Sequence, residues 1–194
     1  GTTEIAKEEN LLEELAKFCG FEETNDIREI ALQLEEDIAI INKGVLSAIC
    51  FCFPSSWVPS ERLGASLSEL HEPVADGDQL IKASSKLSKV MERQNILRWI
   101  WTITTNSSLS NHPEYERPEL IGMESLYLRV ETQTSAPLTE ESSLFFVKVN
   151  VFPLNQVWSN SILESINSMS EEVLLYKNLK EIKDFLNEPN RCFN

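Results

Sequence analysis

The spacing of apolar residues changes several times along the chain, and each change marks an element. Ile27, Ile30, Ala31 and Leu34 recur at helical intervals behind Asn25, a capping residue type, so a helix is expected to about Glu36. A short strand follows from Asp37 to Ile41. The break Asn42-Lys43-Gly44 then turns the chain into a second apolar run, Val45 to Phe53, which is a hairpin signal. Pro54 and Pro59 end that strand. Ser66 with Glu69 three residues on has the form of a capping box, placing His71 near the end of a one- or two-turn helix stopped by Pro73. Asp76-Gly77-Asp78 turns into a longer helix to about Arg93, with Leu80, Ile81, Leu87, Val90 and Met91 on one face. Three more strands are expected, Ile96 to Thr105, Ser125 to Thr134 and Leu144 to Phe152. Helices from Gln156 to Ser168 and from Glu171 to Leu186 complete the pattern.

Strands joined by hairpins, with helices inserted between them, predict a mixed α/β (α+β) fold. The expected architecture is a five-stranded antiparallel sheet with helices on one face and extra helices at both chain ends. Its divisions are a helical extension over residues 1–33, the sheet domain over 34–154, and C-terminal helices over 155–194 packed on that same domain. The stretch from Asn106 to Met123, with Pro113 and Pro118, is too polar and too broken to be regular. Loops of that length often carry function.

Composition narrows the function. A chain of 194 residues with 42% hydrophobic and 25% charged residues is long enough to bury a core of its own. Its net charge of −14 argues against a nucleic-acid groove and against an anionic membrane surface, since both require clustered Lys and Arg. No apolar run approaches the ~20 residues of a membrane span, and the amino end is acidic where a signal peptide would be basic. A cytoplasmic protein is expected. Cys19, Cys50, Cys52 and Cys192 lack the paired spacing of a metal site and read as reduced, buried thiols, Cys50 and Cys52 within a strand.

A few residues are candidates for chemistry. His71 is one of two histidines. An imidazole at a helix end can ligate a metal or simply answer the helix dipole at the surface, and both readings stand. His112, in Asn111-His112-Pro113, reads as solvent-exposed. Cys52 is a thiolate alternative, but its flanking Phe51 and Phe53 favour packing over ligation. Alternation puts Tyr127, Arg129, Glu131 and Gln133 on one side of their strand and Leu128, Val130 and Thr132 on the other. The first row can line a polar site, or form a solvated face with a cross-strand ion pair. Lys148, alone in the apolar run Leu144 to Val151, needs an anion or a route to water. The chain has no dinucleotide or phosphate-loop glycine motif and no ferredoxin-type cysteine spacing, so electrons from a nicotinamide would have to arrive through another protein.

Two separated signatures give these candidates a context. One is Phe51-Cys52-Phe53-Pro54-Ser55-Ser56-Trp57 with Leu63-Gly64 and Leu70-His71-Glu72-Pro73-Val74; the other is Leu128-Arg129-Val130-Glu131-Thr132-Gln133-Thr134, leading into the strand Leu144 to Val151. Together, over roughly Leu34 to Pro189, they resemble the haem-binding alpha subunit of the haem-dependent oxidative N-demethylases. That family is similar in fold to PAS gas sensors, so the sheet is expected to be PAS-like. The resemblance implies haem b with His71 as the iron ligand, Glu131 and Tyr127 as catalytic residues, and Arg129, Gln133 and Lys148 at the cofactor, Lys148 beside a propionate. It implies dioxygen-dependent oxidation of an N-methyl group of a small amine, releasing formaldehyde, with a separate flavin and iron–sulfur reductase as partner. The chain departs from the family pattern at Thr132, where a basic residue is usual, at Lys148, where Arg is usual, and at Ile100-Trp101, where Asn-Trp is usual. Two alternatives stand beside the enzyme: a PAS-like haem or small-molecule binding or sensory module without turnover, and a cofactor-free interaction domain.

Overall fold

A computed structural model of the protein describes residues 10–22, 24–75 and 77–188, apart from the side chain of Leu80, together with the backbone of residues 2–4. The five expected strands are present as β2 (Asp37–Asn42), β3 (Val45–Cys50), β4 (Ile96–Thr104), β5 (Tyr127–Thr139) and β6 (Ser142–Pro153). A short β1 (Thr2–Glu4) lengthens one edge by pairing with β3. Among the described residues these six strands pair antiparallel throughout, in the order β1-β3-β2-β6-β5-β4. The β2–β3 turn works because Lys43 and Gly44 both take positive φ, 52° and 78°, which matches the twist of the flanking strands.

The β5–β6 hairpin is longer than its sequence suggests. Ser135-Ala136-Pro137-Leu138-Thr139 is poor in β-branched residues, yet it pairs with Ser142 to Phe145, and the register slips between Pro137 and Thr139, where proline can supply no ladder donor. Tertiary pairing overrides weak local preference here.

The helices are α1 (Leu11–Cys19), α2 (Ile27–Ala31), α3 (Leu67–His71), α4 (Asp78–Met91), α5 (Leu154–Val157), α6 (Asn160–Asn167), α7 (Glu171–Tyr176) and α8 (Lys180–Leu186). Asp26, not Asn25, caps α2, accepting from the Arg28 backbone N–H, and the helix stops five residues short of Glu36. The single helix expected over 171–186 is two, because Asn178 takes the left-handed conformation (φ 54°) that ends α7.

Both faces of the central strands are buried, so β2 shows no polar alternation at all. Ile38, Ile40, Ala48, Cys50 and Leu144 face α1 and α2. Ala39, Ile41, Leu46, Ile49, Val147 and Val149 face Leu67 of α3 and Met91 of α4. A third cluster joins Ile103, Leu126 and Leu128 to Ile166, Leu174, Ile182 and Phe185 of the C-terminal helices. Cys52 is a correction: β3 ends at Cys50, and Cys52 is exposed rather than buried in the strand. Cys192 lies outside the described residues. Among the described residues no helix is long and apolar enough to cross a membrane.

Candidate functional site

Register decides which side chains meet. Residues paired across an antiparallel sheet share a face, so Asp37, Val147, Gln133 and Arg98 form one row, Val149, Glu131 and Ile100 the next, and Val151, Arg129 and Thr102 a third. These rows lie on the face covered by α3 and α4. The expected line of Tyr127, Arg129, Glu131 and Gln133 therefore exists as read, and it lies on the same side of the sheet as the helix that carries His71.

The row is a connected network. The Arg98 Nε–H donates to Gln133 Oε1 at 2.7 Å, and Gln133 Nε2 donates to Glu131 Oε2 at 2.9 Å. Ser55 Oγ donates to the other Glu131 oxygen. Arg129 Nε donates to Ser55 Oγ at 3.0 Å, and lies 3.7 Å from Glu131 Oε1. With both oxygens engaged and its side chain 15% exposed, the Glu131 carboxylate is held in one orientation and still meets solvent. Its negative charge favours the protonated forms of Arg98, Arg129, Tyr176 and Lys177.

Arg129 is 1% exposed, and its guanidinium is consumed by structure. It donates to the carbonyl oxygen of Phe53 at 2.8 Å and to that of Leu109, as well as to Ser55. It thereby pins the Phe51 to Trp57 segment and the long loop to β5, and a parallel bridge between Ser55 and Asn111 adds a second tie. Asp37 braces the same segment, accepting from the backbone N–H of Cys52 at 2.6 Å and of Phe53 at 2.9 Å. Burial pushes the Asp37 carboxyl above its ordinary value, against the pull of those two N–H groups and of Arg129.

His71 is positioned by its own helix. The capping box of Ser66 and Glu69 starts α3, and one turn later His71 Nδ1–H donates to the Leu67 carbonyl oxygen at 2.6 Å. A carbonyl only accepts, so Nδ1 carries the proton and Nε2 keeps its lone pair. No protein group among the described residues partners Nε2. The ring is half-buried. Burial first, and the nearby positive charge of Arg98, push its pKa below the ordinary value, so the imidazole is neutral near pH 7, although the bond to Leu67 opposes the shift. Gly77 closes the turn after the helix: a Cβ there would lie 2.6 Å from the Val74 carbonyl oxygen and 3.2 Å from that of His71.

Other expected residues stand apart. Lys148 pairs with Thr132 across the ladder and so faces the opposite side of the sheet, where it is bonded to Glu35. Strand alternation thus separates it from Glu131 and Gln133, and its anion is a glutamate from the loop before β2. Thr132 lies on that same far side, so two departures from the family pattern are a single cross-strand pair. Tyr127 shares the face of Glu131 but stands beyond the network, paired with Thr104 and Pro153. His112 is more covered than expected, at 17% exposure, because it packs on Tyr115 and its Nδ1 accepts from the Glu114 N–H. Desolvation, with Cys50 and Asp37 nearby, pushes the Cys52 thiol pKa up, which works against its serving as a ligand.

Sequence reasoning missed Ser55, Asp37, Arg98, Tyr176 and Lys177. Ser55 was visible inside the Phe51 to Trp57 signature, but nothing in the sequence gave it a partner 76 residues away. Lys177 donates to the Trp101 carbonyl oxygen at 2.7 Å, blunting the β4 edge. That role depends on the α7–α8 break, which the helical pattern concealed.

The structure thus defines a mixed α/β protein whose antiparallel sheet carries a braced carboxylate on the same face as an anchored, neutral imidazole. The family model described as haem-dependent oxidative N-demethylase, alpha subunit-like, matches residues 4–187. The chain belongs to that family. The match begins at residue 4, so the N-terminal segment falls inside the family rather than outside it, as the resemblance from Leu34 onward had it. No curated protein matches the chain.

Proposed function

We propose that the chain is a haem-binding, PAS-like subunit that oxidises the N-methyl group of a small amine with dioxygen, giving formaldehyde and the demethylated amine. The family description supports the haem and the reaction class, and the word subunit in it supports a partner. A separate flavin and iron–sulfur reductase fits a chain without a nucleotide motif.

The observation that carries the reading is His71. A haem-ligating imidazole donates one N–H to a carbonyl and presents the other nitrogen, neutral, to the iron. His71 has that donor set: Nδ1–H on Leu67 O, Nε2 without a protein partner among the described residues, and a pKa lowered by burial. When bound, haem would supply the centre at which dioxygen is reduced and the methyl carbon oxidised. The chain's own residues bind and orient. Glu131 offers a carboxylate to an amine that is a cation at neutral pH, and Ser55 and Gln133 fix the direction of its two oxygens. Arg129 acts through Ser55 and keeps the loop that borders Glu131 in place.

The test is reconstitution with haemin, read by the Soret band. The unmodified chain should give a histidine-ligated spectrum, and His71→Ala should shift or abolish it while Cys52→Ser leaves it unchanged. An unchanged band in the His71 variant sinks the assignment.

A further inference from the structure

Haem carries two carboxylates that a protein meets with cations, and the cations expected from the sequence are occupied. Arg129 spends its guanidinium on Phe53, Leu109 and Ser55, and Lys148 is bonded to Glu35 on the far face. Arg98 is different. It stands on the edge strand β4, on the face of Glu131 that α3, the helix of His71, also covers. Only its Nε–H is engaged, by Gln133, and among the described residues neither terminal nitrogen has a protein partner. Gln133 is 7% exposed and is itself held by Glu131, so it presents the guanidinium from a fixed base. The side chain that extends from it is exposed.

We infer that Arg98 is the carboxylate anchor of this site: its two free terminal nitrogens take a haem propionate in a forked pair of hydrogen bonds, with Gln133 as the residue that positions it. This assignment rests on the haem reading above. The chemistry suits arginine, whose planar fork matches a carboxylate, and Gln133 on Nε leaves the fork's outer edge open. Glu131, on the far side of Gln133, balances the guanidinium charge without occupying that edge. The amide therefore separates a cation that holds the cofactor from an anion that faces the amine.

The experiment compares haemin with its dimethyl ester, in which both carboxylates are blocked, on the full chain and on Arg98→Met and Arg98→Lys. Arg98 is exposed, so neither substitution opens the core. Arg98→Met should bind haemin about ten- to a hundredfold more weakly, the worth of a charge-assisted pair, and Arg98→Lys should recover part of the loss. The dimethyl ester should bind the unmodified chain and Arg98→Met equally well. A His71-dependent Soret band with equal haemin affinity in Arg98→Met would overturn the anchor and leave the haem reading intact. An ester that discriminates as strongly as haemin does would also overturn it, because the loss would then not involve the carboxylate. If the unmodified chain gives no His71-dependent band, the haem reading and the anchor fall together.

Discussion

At the scale of single residues, the site is assembled from side chains that are satisfied to different degrees, and that difference separates structure from chemistry. Arg129 and Asp37 are buried with every strong contact directed at backbone or at neighbouring side chains, so they hold the Phe51 to Trp57 segment. His71 and Arg98 keep unused donors or lone pairs. Asp37 gives a pH test. Burial holds its carboxyl above the ordinary 3.8, so the folded chain binds that proton more readily than the unfolded chain does. Its contribution to stability is therefore fully present below 3.8 and is lost as pH rises through the folded-state value. Asp37→Asn has no such proton. Its stability relative to the unmodified protein should rise with pH across that window, whatever constant cost the lost carboxylate brings, as read from urea midpoints at successive pH values. A relative stability that stays flat would mean that the two N–H bonds and Arg129 cancel burial, and one that falls would mean that they outweigh it.

At the scale of elements, the turn chemistry around His71 sets its geometry. Ser66 and Glu69 satisfy each other's backbone donors, and Gly77 allows the chain to pass within contact distance of the Val74 and His71 carbonyls. Ser66→Ala should lower stability by about 1 kcal/mol, as loss of a cap does. Gly77→Ala should cost ~1–3 kcal/mol, because its Cβ would overlap backbone atoms that cannot rotate away. Urea denaturation orders the two; a silent Gly77→Ala would show that the turn relaxes freely. This helix was legible in the sequence because capping box, histidine and proline are consecutive signals. The strand positions were legible for a similar reason, since apolar runs and the turn residues that bound them are local signals. The α7–α8 break was not, because Asn178 tolerates positive φ without announcing it. The partner of Gln133 was not legible either. Alternation gave the face of Tyr127, Arg129, Glu131 and Gln133, but pairing Arg98 with Gln133 requires the β4–β5 register, which is a long-range fact. The side of Lys148 was hidden for the same reason: an odd cation in an apolar run announces a partner, here Glu35, but not its side of the sheet.

At the scale of the whole molecule, the sheet is stabilised from both directions, and the chain ends supply much of the cover. Ile38, Ile40 and Leu144 are sealed by Leu11, Leu12 and Leu15 of α1 and by Ile27 and Ile30 of α2. Ile103, Leu126 and Leu128 are sealed by α6, α7 and α8. Full burial of a side chain of this kind is worth roughly 1.5–3 kcal/mol, so uncovering several at once removes an amount comparable to the net stability of a domain. Lys177, which caps the Trp101 carbonyl at the β4 edge, leaves with the same helices. The segment 34–154 holds every candidate residue except Tyr176 and Lys177, yet by this reasoning it is not an independent folding unit. The full chain should unfold in one urea transition that coincides by tryptophan fluorescence and far-ultraviolet circular dichroism, and fragments 34–154 and 1–154 should show no cooperative transition. A cooperative transition in the 34–154 fragment would mean that the sheet carries its own stability and that the terminal helices are accessories to it, in which case haem binding by that fragment alone would become the sharper test of His71.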